Sequence, residues 1–137
     1  MSKNTHYVGT SGEHLVASYF LKNKIGVYLP TTPNEKDLLV NLGSEKGYTG
    51  VQVKTQSNPM PEQRTNKRYR FGFMRSNKTA YSKNVPIFCC VALDKRLIQF
   101  FINDGTKLHY ILHDISFTEA METKTFDAVL NHFNYHG

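Results

Sequence analysis

From Val8 to Ile25 the apolar positions follow a helical period, and Thr10 with Glu13 three residues later reads as a capping box opening that helix. At about 100° per residue, Val16, Ala17 and Phe20 surround Glu13, so its carboxylate projects from the apolar face. It either ties off the first turn or aims inward at a cation, and both roles are compatible. The period then changes. Gly26 to Pro30 predicts a first strand, and residues 31 to 36 a polar turn into Asp37.

Residues 37 to 54 predict a β-hairpin. The run Asp-Leu-Leu-Val-Asn-Leu ends at a turn-rich segment from Gly43 to Gly47, and Gly50 to Thr55 returns. Alternation puts Gln52 and Lys54 on one face and Val51, Val53 and Thr55 on the other. Pairing Leu42 with Thr49 sets Asp37 opposite Lys54 and Leu39 opposite Gln52, so that a carboxylate, an amide and a lysine converge. An ordinary cross-strand ion pair is the simpler alternative. Against it, Lys54 sits among β-branched residues, where an ammonium is costly to bury without a purpose.

Beyond the hairpin, Gln56 to Lys67 has no periodicity and reads as an exposed loop. Tyr69 to Met74 predicts a short strand, and Arg75 to Asn84 either a weak helix or a loop. Pro86 to Leu93 is almost continuously apolar, as in a strand buried on both faces, and Leu97 to Ile102 follows as its antiparallel partner. Asn103-Asp104-Gly105 marks a turn. Ser116 and Glu119 suggest a second capping box, before a helix with Phe126, Val129, Leu130 and Phe133 on one stripe. Glu122 to Thr125 weakens the first half of that stripe.

The 137 residues suffice for a single domain with one core, supplied largely by nine Phe and eight Tyr in the absence of Trp. Charge adds a location rather than a class. Arg64, Lys67, Arg68, Arg70, Arg75, Lys78 and Lys83 fall in a segment without any acid, while elsewhere bases and acids nearly balance. Interleaved with Tyr69, Phe71, Phe73 and Tyr81, this segment suits a polyanion such as DNA, the alternative being a solvated face. Adjacent Cys89 and Cys90 point to opposite faces of a strand and offer no disulfide framework. No apolar run is long enough to cross a bilayer and no secretory signal is legible, so a cytoplasmic protein that does not enter a membrane is expected.

A helix carrying Glu13, a three-stranded meander carrying Asp37 and Gln52-Val53-Lys54, and a connection into a buried strand together resemble the PD-(D/E)XK nuclease superfamily over residues 10 to 102. The resemblance implies an α/β fold of restriction-endonuclease type, a mixed central sheet flanked by helices. It implies that Glu13 is similar to the family's first-helix Glu, Asp37 to its metal-binding Asp and Lys54 to its catalytic Lys. Gln52 stands where the family usually has Glu or Asp, and Lys36 where it has Pro. The Gln-x-Lys form is similar to that of some intron-encoded homing endonucleases, and archaeal Holliday-junction resolvases look alike in their Glu, Asp and x-Lys arrangement.

Chemistry supports those residue types independently. Phosphodiester hydrolysis uses a hard divalent cation, Mg²⁺ or Mn²⁺, which the oxygens of Asp37, Glu13, Gln52 and the Val53 carbonyl suit. Lys54 would stabilise the transition state or orient the attacking water. Gln52 makes the site less negative, so weaker metal affinity is expected. It also supports a different reading, an inactive nuclease fold that binds nucleic acid or a protein. A homodimer or higher oligomer is expected because a small domain has little surface for cutting both strands, and a duplex has two-fold symmetry. The spacing of His109 and His113 would suit zinc on a helix, but the residues between them look strand-like. Cys89, in its apolar run, is expected in the core.

Overall fold

The computed structural model describes residues 3–31, 36–43, 47–61, 67–75 and 77–136. In chain order these form α1 (Lys3–Lys22), β1 (Val27–Tyr28), β2 (Leu38–Val40), β3 (Thr49–Gln56), β4 (Arg68–Gly72), β5 (Ile87–Ala92), β6 (Leu97–Ile102), β7 (His109–His113), a 3₁₀ turn (Asp114–Ser116) and α2 (Glu119–His132). Five strands make a mixed sheet in the order β1-β2-β3-β5-β6. Its pairs are antiparallel except β3 with β5, which run parallel. The strands β4 and β7 pair with each other in a separate antiparallel ribbon.

This is the expected α/β architecture, with a specific division of labour. Both helices pack on one face of the sheet, where Val16, Phe20, Phe126 and Val129 meet Val51, Val53, Ile87, Cys89 and Phe100. The ribbon covers the other face, where Tyr69, Phe71, Phe73 and Tyr110 meet Phe88, Cys90 and Ala92. Every residue of β5 is buried, as its unbroken apolar run predicts, and the two cysteines fall into different cores. Each fully buried large side chain contributes about 1.5–3 kcal/mol, so β5 serves as the common floor of both.

Both helix starts differ from expectation. The helix α1 begins at Lys3, which leaves Thr10 and Glu13 in its interior and gives Thr10 no capping role. Residues 4 to 7 are exposed, so they carry no apolar period by which the extra turns could be recognised. At α2 the cap is Thr118, whose hydroxyl accepts from the Met121 amide at 3.1 Å. Ser116 instead accepts from Gln99 Nε2 at 2.8 Å and donates to the His113 carbonyl at 2.6 Å.

The polar residues that interrupt the α2 stripe have a structural use. The Ile98 amide donates to Glu122 Oε2 at 2.9 Å and the Phe100 amide to Thr125 Oγ1 at 3.1 Å. They satisfy an outer strand whose amides would otherwise lack partners. Residues 75 to 84 form no helix among those described. Buried Asn103 holds their end as a loop, its Nδ2 donating to the carbonyls of Tyr81, Ser82 and Val85.

Candidate active site

Asp37 stands one residue ahead of β2, seated by two hydrogen bonds. Its amide donates to the Val51 carbonyl at 2.8 Å, and its Oδ2 accepts from the Val53 amide at 2.8 Å. The strands pair Leu38 with Val51, Leu39 with Gly50 and Val40 with Thr49, and one step further Asp37 faces Gln52. The expected pairing of Leu42 with Thr49, and hence of Asp37 with Lys54 and Leu39 with Gln52, is therefore two residues out of register. The chain remains with β1 past the end of β2, since the Asn41 amide donates to the Gly26 carbonyl at 2.9 Å. Tyr48, ahead of β3, packs its ring on Tyr28 with centroids 5.3 Å apart. A shift of two preserves side-chain parity, so the same groups still converge.

Glu13, Asp37, Gln52, Val53 and Lys54 all line one cleft of about 690 Å³, roofed by the first turns of α1. Glu13 reaches it because α1 lies unusually close to β3. A Cβ on Gly12 would fall 1.7 Å from Thr55 Oγ1, so only glycine permits that approach. Thr55 points toward the helix and Gln52 and Lys54 away from it, as alternation requires.

The two carboxylates share an environment that disfavours a double negative charge. Burial raises the Asp37 pKa, opposed by the Val53 amide and the Lys54 ammonium. Burial also raises Glu13, and the charge of Asp37 raises it further, against His14, His6 and Lys54. Gln52 is 5 % exposed, and its Oε1 is buried without a hydrogen-bond partner among the described residues. A desolvated amide oxygen and two carboxylates lining one cleft are oxygen donors of the kind that suits a hard cation. The Val53 amide points to Asp37, and because a residue's N–H and C=O leave a strand on the same side, its carbonyl also faces away from β5.

The cleft includes residues not singled out in the sequence. Asn4, Thr5 and His6 line it from the extra turns of α1, Gly9 from the turn after them, and Gln56 and Ser57 from the end of β3 and the residue beyond. The seven-residue spacing from His6 to Glu13, two helical turns, is the only sequence signal that puts His6 on that side.

The basic residues do not form one stripe. Arg68 and Arg70 project outward from β4, since Tyr69 and Phe71 between and beyond them are fully buried, and Lys67 immediately precedes them. Arg75 and Lys78 share a turn in which the Lys78 amide donates to the Arg75 carbonyl at 2.8 Å, and Lys83 lies beside Gly105. Arg64 is outside the described residues. His109 and His113 lie on strand β7, and among the described residues no three His, Cys, Asp or Glu side chains come together as a metal site.

No protein-family profile matches the chain, and no curated protein does. Among solved structures it is similar to a bacterial homing endonuclease, I-Ssp6803I, with a TM-score of 0.66 over 93% of this chain and 91% of that one. The fold is nuclease-like. At 16% identity, the shared property is the path of the backbone. Among the described residues no helix is long and apolar enough to cross a membrane.

Proposed function

We propose that this protein is a metal-dependent endonuclease of the PD-(D/E)XK type that hydrolyses DNA phosphodiester bonds. The observation that carries the proposal is the cleft, where Glu13, Asp37, Lys54 and the unpartnered Gln52 amide oxygen meet on a nuclease-like fold. Asp37, Glu13, Gln52 Oε1 and the Val53 carbonyl would hold Mg²⁺ or Mn²⁺, which when bound supplies Lewis-acid stabilisation of the phosphate oxygens. The donor set fits such an ion on its chemistry, all oxygen and partly desolvated. Lys54 faces the same cleft, where its ammonium stabilises charge developing on the phosphoryl oxygens and orients the attacking water. The Val53 amide keeps the Asp37 carboxylate from rotating away. Arg68 and Arg70, with Lys67, Arg75, Lys78, Lys83 and Arg64, supply attraction for the phosphate backbone. Acting on both strands, the enzyme works as a homodimer or larger assembly.

Incubation with supercoiled, branched and single-stranded DNA in Mg²⁺, Mn²⁺ or EDTA tests the proposal. Cleavage in either metal and none in EDTA is expected. No cleavage of any substrate, together with no metal binding by calorimetry at millimolar concentration, would replace the enzyme by a binding module on a nuclease-like fold. Gln52 discriminates further. Gln52→Glu adds charge at the same reach and should tighten Mg²⁺ binding with activity retained, whereas Gln52→Ala should weaken both.

A further inference from the structure

The ribbon is more than a lid on the second core. Its inward residues anchor it rigidly: Tyr69 and Phe71 are fully buried, and the Tyr69 hydroxyl donates to both oxygens of Asp94, at 2.7 and 2.8 Å. Its outward residues pair across the strands as Arg68 with His113, Arg70 with Ile111 and Gly72 with His109. Among the described residues that face carries two guanidiniums and two imidazoles and no carboxylate. Ile111, at its centre, is 47% exposed.

Gly72 is the unexplained residue. Gly72 closes β4 opposite His109, and a glycine in a strand commonly reflects a left-handed backbone, a bend, a neighbour that excludes Cβ, or close approach of another molecule. Its φ is not positive, and among the described residues a Cβ there would meet nothing within 4 Å. The open Cβ position leaves room for an outside molecule to approach the backbone closely. The ribbon is also tied to the site. Gln56, at the cleft's rim, donates from Nε2 to the Arg70 carbonyl at 2.8 Å, tying the ribbon to the end of β3.

We infer that the outward face of the β4–β7 ribbon enters the major groove of B-form duplex DNA, with Gly72 as the point of closest approach. The inference rests on the nuclease reading and narrows its substrate. The major groove of B-DNA, about 12 Å wide, admits a two-stranded ribbon, whereas the deep, narrow major groove of an RNA duplex does not. Arg68 and Arg70 suit the phosphates that wall the groove, and Ile111 offers an apolar contact to a thymine methyl.

The test is binding of wild-type protein and Gly72→Val to mixed-sequence DNA and RNA duplexes, with EDTA present so that no strand is cut. Gly72→Val should melt at or above the wild-type temperature, because a β-branched residue suits a strand, yet bind DNA about tenfold more weakly, in the range expected for one lost groove contact. Should Val perturb folding, Gly72→Ala serves, its added Cβ being free of contacts. Wild type should prefer the DNA duplex, and methylation of guanine N7 in the major groove should interfere with binding while methylation of adenine N3 in the minor groove should not. Unchanged DNA affinity in a folded Gly72 variant, equal affinity for RNA, or interference confined to adenine N3 would each overturn the inference. If the wild type nonetheless cuts DNA, the nuclease proposal stands without it. Failure to bind any nucleic acid removes both.

Discussion

The two faces of the central sheet are built from different material. On the helix face the core is largely aliphatic, with Val16, Ile25, Leu38, Val40, Val51, Val53, Ile87 and Ile98 around a few phenylalanines. On the ribbon face it is largely aromatic, with Phe73 stacked on Phe88 at 4.1 Å and Phe101 on Tyr110 at 4.4 Å. A helix offers a broad apolar stripe, so many medium-sized side chains interdigitate. A two-stranded ribbon has few inward positions and is marginal alone, so each position must bury a large ring. The difference carries over to the chemistry. Close helix packing brings Glu13 to the cleft, whereas the ribbon turns guanidiniums outward.

The largest effect is expected where the two halves meet. Asp37→Ala and Lys54→Ala should each lower cleavage by at least about 10²–10⁴-fold with the fold retained, because one removes a cation ligand and the other the transition-state charge. Plasmid nicking in Mg²⁺, beside circular dichroism, measures this. A near-wild-type rate in either variant would remove that residue from the site.

Glycine tolerance should separate the faces next. Gly12→Ala collides with Thr55, at a cost of about 1–3 kcal/mol in urea unfolding, and Thr55→Ala in the same chain should recover part of it. Gly72→Ala on the ribbon should cost nothing. A Gly12→Ala variant as stable as wild type would mean that the helix does not lie as close to β3 as the geometry requires.

Neutralising Arg68 and Arg70 together, to Gln, should weaken DNA binding and flatten the log K against log salt slope by about two units. Cleavage at saturating DNA should change less. If the slope is unaltered, the two arginines belong to a solvated face.

The smallest effect is on stability against pH. The native pKa of Asp37 is raised by burial, so between its unfolded and native values the native state holds more proton than the unfolded chain. Stability of the metal-free protein therefore falls as pH rises through that window and levels off above it. Asp37→Asn cannot ionise and should escape this loss, matching wild type at low pH and exceeding it at neutral pH. Mg²⁺ should close the gap by raising the wild-type melting temperature alone, since binding to the native state adds stability by mass action. Thermal melts across pH, with and without Mg²⁺, follow both parts. An Asn variant less stable than wild type at neutral pH would mean that Asp37 is mainly structural.

Local periods carried a large part of this architecture. The unbroken apolar run predicted β5, alternation predicted that Gln52 and Lys54 share a side, and the stripe from Phe126 to Phe133 predicted α2. Glu13 among apolar neighbours, and Asp37 before a strand, were legible for the same reason: a period reports burial, and a charge within it stands out. Tertiary structure decided what periods do not encode. The register of β2 on β3 depends on which carbonyls the Asn41 and Asp37 amides find, and these lie just ahead of β1 and on β3. The first turns of α1 overhang a cleft rather than a core, so their exposed residues left no apolar mark. The departure of β4 from the main sheet to pair with β7, some forty residues away, is a long-range choice settled by aromatic packing against β5.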